Sequence, residues 1–364
     1  MENLVLNSEF WKGRRVLVTG HTGFKGAWLC LWLHQLGARV SGLSIDMVSE
    51  PNLWSLIELD EVSHHIGDVR DIARVQQVLN EEKPEVVFHL AAQSLVRRSY
   101  REPIETFSTN VMGVVALLSA IAKSDSVKAA VIVTSDKCYE NKEQSKGYVE
   151  SDPMGGHDPY SASKGCAELV TASMRNSFFS PNAEGGHPCQ IASARAGNVI
   201  GGGDWSEDRL IPDIVRGCLG ESGQVVIRSP NSQRPWQHVL EPLRGYLMLA
   251  ERLANGETGF DEGWNLGPDE GQERPVIDVA NAIVGALGKG RINVQEDRAN
   301  LHEAKLLQLI STKARGLGWA PAMGFDQTME MTAKWYAEWA AGGDSRQLCI
   351  EQIEQYTQIY GGNS

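Results

Sequence analysis

A chain of 364 residues that is 42% hydrophobic and 22% charged has an ordinary globular composition, with room for two lobes or one large α/β domain with an appendage. Its formal net charge of -12 argues against nucleic acid and anionic membrane as partners, since both demand a basic face, while a few local arginines still suffice for an anionic small molecule. The six cysteines lack paired zinc or redox spacing, no signal-peptide pattern opens the chain, and no apolar run approaches the ~20 residues that span a bilayer, so a cytoplasmic protein with free thiols is expected.

Residues before Trp11 read as an arm. The stretch 14–33, RRVLVTGHTGFKGAWLCLWL, then joins a short apolar strand to a glycine turn and a helix. Gly20, Gly23 and Gly26 recur at three-residue intervals between the two. A dinucleotide pyrophosphate requires this arrangement: glycines permit the tight turn, and the helix start offers free N–H groups and a positive dipole end. An ordinary tight β–α turn is the plainer alternative. Further strands are expected over 39–45, 61–66, 85–90, 129–134 and 190–196, with helices over 69–82, 109–122 and from the loop 155–164 to about 179. Such alternation is the signature of a doubly wound parallel sheet, which binds ligands beyond the carboxyl ends of its strands. The glycines, Asp68, Gln93 and the run Ser135-Asp136-Lys137 all follow strands and should converge on one crevice. Beyond 200 the alternation weakens and prolines interrupt shorter segments, as expected of a smaller lobe laid on the sheet. The expected division is 12–199 for the nucleotide-binding domain and 200–364 mainly for the second lobe, with the chain free to cross back.

Tyr160 and Lys164 stand four apart at a helix start, so both project from one face. A phenol titrates near pH ~10, too high for a base at neutral pH, but a neighbouring ammonium and a nicotinamide cation would favour the phenolate. Ser135, delivered from a strand end, can hydrogen-bond the same substrate oxygen. The nine histidines show no metal-ligand spacing, and no metal is expected.

The strings TGHTGFKG, GDVRD, HLAAQ, TSDK, YSASK and RAGNVIGGGDW, in this order, resemble the extended short-chain dehydrogenases/reductases. Within them the chain from Trp11 to about Trp339 is similar to the bacterial CDP-glucose 4,6-dehydratases, in STNVMG, TSDKCYEN, PMGGHDPYSASKGCAEL, RLIPDIVR, RPWQHVLEPLRGY and EGWNLGP. The resemblance implies a Rossmann-type α/β fold with a smaller C-terminal α/β substrate lobe. It also implies an NAD-dependent internal redox reaction on CDP-glucose: oxidation at C4, loss of water across C5 and C6, and hydride return to C6. On it, Tyr160 is the C4 base, Lys164 its modulator and ribose ligand, Ser135 the hydroxyl partner, and Asp136 the acid for the departing C6 oxygen. A turn or cap aspartate is the plainer reading of Asp136. Relatives acting on dTDP-glucose carry Glu as the C5 base where this chain has Lys137, so Lys137 is either that base or a cation stabilising the enolate.

Cofactor contacts are implied for Gly20, Thr22, Gly23, Phe24, Lys25 and Gly26 in the glycine loop, Asp46 after the second strand, and Asp68 and Val69 after the third. Leu90, Ala91, Ala92 and Gln93 after the fourth strand, Thr109, Tyr160 and Lys164 complete that set. The usual ribose-binding acid would fall on Ser44, with Asp46 two residues on, a residue that serves equally as a solvated loop aspartate. For the sugar nucleotide the resemblance implies Gln93, Ser135, Asn198, Arg209, Leu210, Arg234 and Asn265, and, in a second region, Arg298 and His302. An arginine suits a diphosphate because its fork binds two oxygens; Trp236 is read as lobe packing rather than base stacking. The helical stretches 94–122 and 161–179 correspond to a four-helix dimer contact in relatives, so a homodimer is implied, with a tetramer as the alternative. Rival readings are a dehydratase or epimerase on another nucleotide sugar, and a non-catalytic NAD-binding regulator, which the presence of Ser135, Tyr160 and Lys164 disfavours.

Overall fold

The computed structural model describes residues 6–47, 49–142, 146–179, 185–295 and 307–362. The first described element is the short helix α1 (Ser8–Trp11), whose Phe10 and Trp11 are buried, so the end of the expected arm before Trp11 is a packed helical turn. Then come β1 (Arg15–Thr19), α2 (Phe24–Gln35), β2 (Arg39–Ser44), α3 (Leu53–Ile57), β3 (Ser63–Ile66), α4 (Ile72–Glu82) and β4 (Val86–His89). Helices α5 (Val96–Arg101), α6 (Pro103–Phe107) and α7 (Gly113–Ile121) follow, then β5 (Ala129–Val133), α8 (Pro159–Phe178) and β6 (Gln190–Arg195). The middle of this half is continuously apolar: every residue of β4 and β5 is buried, as in a parallel sheet covered on both faces. Eight consecutive residues of α2, Gly26 to Leu33, are buried, because the sheet lies on one side of it and C-terminal helices on the other.

The second half contributes β7 (Val199–Ile200), α9 (Leu210–Leu219), β8 (Gln224–Ile227), β9 (Gln233–Pro235), β10 (Gln237–His238) and α10 (Leu240–Ala254). It continues with β11 (Gly263–Asn265), β12 (Glu273–Pro275), α11 (Val276–Leu287), β13 (Arg291–Val294), α12 (Thr312–Gly316), α13 (Phe325–Ala340) and α14 (Ser345–Gly362). The main sheet has seven parallel strands in the order β11-β6-β5-β4-β1-β2-β3, and the strand order reverses between β1 and β4, where such sheets hold their ligands. Three small two-stranded sheets, β7 with β10, β8 with β13 and β9 with β12, build the second lobe with α9 and α11.

The chain crosses the expected boundary at 200 repeatedly. Strand β11 returns to the edge of the main sheet beside β6, α10 packs on β4, β5 and α2, and α14 closes over α2 and α3. A second difference concerns residues 103–121. Glu105, Ser108 and Asn110 break the apolar run in the sequence, yet α6, a π-turn at Ser108–Met112 and α7 join into one helix, Pro103–Ile121, of mean hydropathy 1.5 and 19 residues, long and apolar enough to cross a membrane. Half of it is buried within the protein, against α4 and α8. Four apolar side chains of this helical layer, Ile104 (85% exposed), Phe107, Met112 and Leu169 (60% exposed), point outward.

Candidate active site

The carboxyl ends of the central strands open onto a cleft of about 1250 Å³. At its floor the glycine spacing is enforced by close approach. Gly20 is left-handed (φ +74°), and a Cβ there would stand 2.7 Å from the Ala91 backbone nitrogen at the end of β4. A Cβ on Gly26 would collide with the Gly20 carbonyl. Gly23 caps α2 without a side chain, so the first-turn N–H groups remain available to an anion. Two side chains hold Thr22 between these glycines: Asn52 donates to its carbonyl at 3.1 Å, and the Ser44 hydroxyl accepts its N–H at 3.4 Å. Backbone cradle, side-chain-free cap and cation supply fit a dinucleotide pyrophosphate.

Ser44 therefore stitches the glycine loop, and Asp46 is the carboxylate exposed at the cleft edge beyond it, accepting the Met47 N–H at 2.8 Å. Thr22, Phe24, Lys25, Asp68, Val69, Leu90, Ala91, Ala92 and Thr109 all line the cleft. The Arg70 guanidinium grips Asp68 through both oxygens, which holds its carboxyl below the usual range. Gln93 is different. It is buried beside the cleft but not among its lining residues, donating to the Thr106 hydroxyl at 2.8 Å and accepting the Leu95 N–H at 2.6 Å, so its amide braces the chain after β4.

Ser135, Asp136, Lys137, Tyr160 and Lys164 are brought together on one wall. Ser135 caps the 3-10 turn Asp136–Cys138, accepting the Lys137 N–H at 3.2 Å, and its hydroxyl donates to Asp136 Oδ1 at 2.8 Å. The capping role thus belongs to Ser135, and the Asp136 carboxylate is left facing the cleft under Gly197, where any Cβ would run into it. Across the wall, Asp158 caps α8 by accepting the Ser161 N–H at 2.9 Å, with Pro159 in the first turn, which sets Tyr160 and Lys164 along the cleft. Burial pushes the Tyr160 phenol up to about 12, while the Ser135 hydroxyl and Arg209 pull it down. Burial lowers Lys164 to about 8. It also lowers Lys25 to about 7, helped by Arg209 and Lys164 and opposed by Asp136.

Asn198 (φ +48°), Arg209, Leu210 and Arg234 line the second-lobe side of the cleft. Asn265 does not. It is wholly buried outside the cleft lining, accepting from the Tyr139 hydroxyl at 2.7 Å and donating to the Tyr148 and Ile310 carbonyls, so its amide ties loops together. Arg298 and His302 lie outside the described residues. Trp236 is buried, its indole N–H donating to the Arg274 carbonyl at 3.1 Å, in keeping with lobe packing. Sequence reasoning missed Asn52, Arg97, Tyr100, Arg216 and Arg228, which also line the cleft. For Asn52 a signal existed, an asparagine one residue before an apolar helix start; the arginines carry none apart from their charge. Among the described residues no group of three or more His, Cys, Asp or Glu could hold a metal ion.

Comparison with known proteins places the chain in context. A family model described as GDP-mannose 4,6 dehydratase matches residues 17–332. CDP-glucose 4,6-dehydratase of Salmonella typhimurium is 48% identical over 97% of this chain and 98% of its own length. dTDP-glucose 4,6-dehydratase of Xanthomonas campestris pv. campestris is 29% identical over 88% of this chain and 92% of its own. Among solved structures, the epimerase Mth375 from Methanothermobacter thermautotrophicus superposes with a TM-score of 0.79 at 26% identity, covering 92% of this chain and 96% of that one. NAD-bound DesIV, a dTDP-glucose 4,6-dehydratase from Streptomyces venezuelae, has a TM-score of 0.75 at 24% identity over 91% and 99% of the two chains, a likeness of fold.

The cradle makes a direct prediction. Gly26→Ala puts a methyl group against the Gly20 carbonyl and should weaken NAD binding, followed by titration calorimetry, by about tenfold or more, which is ~1.4 kcal/mol. Unchanged affinity would show that the dinucleotide does not sit on this turn.

Proposed function

The chain belongs to the GDP-mannose 4,6-dehydratase family, and we propose that within it the protein is an NAD-dependent CDP-glucose 4,6-dehydratase, a hydro-lyase yielding CDP-4-keto-6-deoxyglucose. The observation that carries the reading is a carboxyl, Asp136, facing the cleft beside the Ser135, Tyr160 and Lys164 set of a dehydrogenase. A dehydrogenase has no use for that acid; a dehydratase must protonate a departing hydroxyl.

NAD, when bound, supplies a hydride acceptor that returns its hydride within the same turnover, together with a positive charge beside the phenol. The rest falls to this chain. Tyr160 takes the C4 hydroxyl proton while the Ser135 hydroxyl holds that oxygen. A phenol that burial places at about 12 needs cations to ionise, and Lys164 and Arg209 stand ready to provide them. Once C4 is a ketone the C5 proton is acidic: it passes to a water molecule in the cleft while Asp136 donates to the leaving C6 oxygen, and a proton returns to C5 as the hydride adds at C6. Lys137, half-buried on the same wall, stabilises the enolate as a cation. Arg209 and Arg234 take the diphosphate. The outward Ile104, Phe107, Met112 and Leu169 make the face of a homodimer built from the α6–α7 and α8 helices of two copies.

Each of these roles has a measurable outcome. Offered CDP-, dTDP-, GDP- and UDP-glucose, the protein should turn over CDP-glucose with the highest kcat/KM; preference for another would reassign the substrate. Tyr160→Phe should cut C4 oxidation by roughly a hundredfold or more with substrate still bound. Asp136→Asn should spare oxidation relative to water loss, so that reduced cofactor accumulates in a single turnover; equal loss of both steps would make Asp136 a substrate-positioning group. Leu169→Glu, which sets a charge in the apolar face, should convert a dimer to monomers in sedimentation, and a monomeric parent would sink the dimer.

A further inference from the structure

Beneath the catalytic wall lies a buried network that the reaction as described leaves unused. Glu168 sits one helical turn beyond Lys164 on α8, out of reach of solvent. Its Oε1 accepts from the Thr134 hydroxyl, and its Oε2 accepts from the Ser193 hydroxyl and the Arg195 guanidinium, both at 2.7 Å. Arg195 in turn donates to the Tyr139 hydroxyl at 2.6 Å and the Glu150 carbonyl at 3.2 Å. The Lys164 ammonium donates to the Val133 carbonyl at 3.4 Å. Lys164 and Glu168 therefore grip adjacent residues, Val133 and Thr134, at the strand end that delivers Ser135 and Asp136.

A buried ion pair is poor evidence for stability, because desolvating two charges offsets most of their attraction. An apolar pair would clip α8 to β5 and β6 as well, so the charge itself calls for another explanation. Residues four apart on a helix are neighbours, which sets the Glu168 carboxylate close to the Lys164 stem. Burial drives Lys164 toward its neutral form, and Glu168 is the largest opposing influence, ahead of Cys138. Three other groups that interact with Lys164 give it no anion. Cys138, in the turn after β5, is a buried thiol raised well above its ordinary value; His89, from β4, is held neutral by burial; and Lys25, from α2, is a like charge.

We propose that Glu168 is a positioning residue for the reaction: it keeps Lys164 a cation at neutral pH and fixes that cation against the end of β5, beside the Tyr160 phenol. The inference rests on the roles given above to Tyr160 and Lys164, and it explains why the pair Glu168–Arg195 is ionic. Arg195, Thr134 and Ser193 satisfy the carboxylate so that it stays charged where it is needed.

Amine acylation reads the charge of Lys164, since only the neutral amine reacts. In the full chain without added ligand, the labelling rate of Lys164, followed by peptide mass spectrometry across pH, gives the midpoint of its titration. In Glu168→Gln that midpoint should fall by about one pH unit or more, whereas Glu168→Asp, which keeps the charge, should stay close to the parent. An unmoved midpoint in Glu168→Gln overturns the proposal. If that variant does not fold, with Arg195 left without a counter-charge, the double variant Glu168→Gln/Arg195→Gln is compared with Arg195→Gln alone, and its midpoint should be lower by about one pH unit or more. In turnover, the alkaline limb of kcat should move to lower pH by the same amount; a fall in kcat with an unmoved limb marks a purely structural clip and overturns the proposal too. Labelling needs neither substrate nor cofactor, so it tests Glu168 even where the substrate is not CDP-glucose.

Discussion

The approach of α2 to the exit of β1 governs how the rest of the molecule is arranged. Gly23 donates its N–H to the Gly20 carbonyl at 3.1 Å, and Gly26 passes so near that carbonyl that no Cβ fits. This tight entry aims the N-terminus of α2 at the cleft. The same helix carries Trp28, whose indole N–H donates to the Gly202 carbonyl at 2.9 Å, in the glycine run that leads into the second lobe. One helix thus fixes the floor for a pyrophosphate and the point from which the other lobe departs. The separation between the two halves of the cleft is set by a single rigid element.

Charge completes what that geometry begins. The chain is acidic overall, yet Lys25, Lys137, Lys164, Arg209, Arg216 and Arg234 gather around one crevice. The diphosphates of a dinucleotide and a sugar nucleotide, in the proposed reaction, would bring several negative charges to the same place, and a local field matters to them more than the protein's total. Among these cations stands Asp136, a carboxyl held by Ser135 and overlain by Gly197. A carboxyl, a phenol and several cations thus line one cleft, with burial moving Tyr160 and Lys164 in opposite directions.

Much of this was legible in the sequence, for a physical reason. A parallel strand buried on both faces is a bare apolar run, and the polar residues that follow it can only lie at one end of the sheet. Hence 85–90 announced β4 and 129–134 announced β5, and the residues after them met in the cleft. Gln93, after β4, and Asn265, the last residue of β11, do not line the cleft, because place along the chain does not say which way a side chain turns. Both turn inward, to the Thr106 hydroxyl and to the Tyr139 hydroxyl, and only the folded chain reveals those partners. The return of β11 to the main sheet was hidden as well, since three residues, Gly-Trp-Asn, are too short for any period to register. Phe10 and Trp11 showed that an apparent arm with two large rings needs somewhere to put them.

The closure of α14 over α2 and α3 has a bearing on the order in which a ribosome produces this protein. The glycine turn and α2 emerge long before the helix that covers them, Ser345–Gly362. Edge strand β11 is likewise synthesised long after its neighbour β6. Throughout that interval Trp32 lacks the Tyr356 ring it packs against edge-on, at 5.9 Å between centroids, and an apolar face waits uncovered. The nucleotide floor is therefore made well before it is covered, so a nascent chain interrupted ahead of Ser345–Gly362 exposes the part of the core that packs around α2.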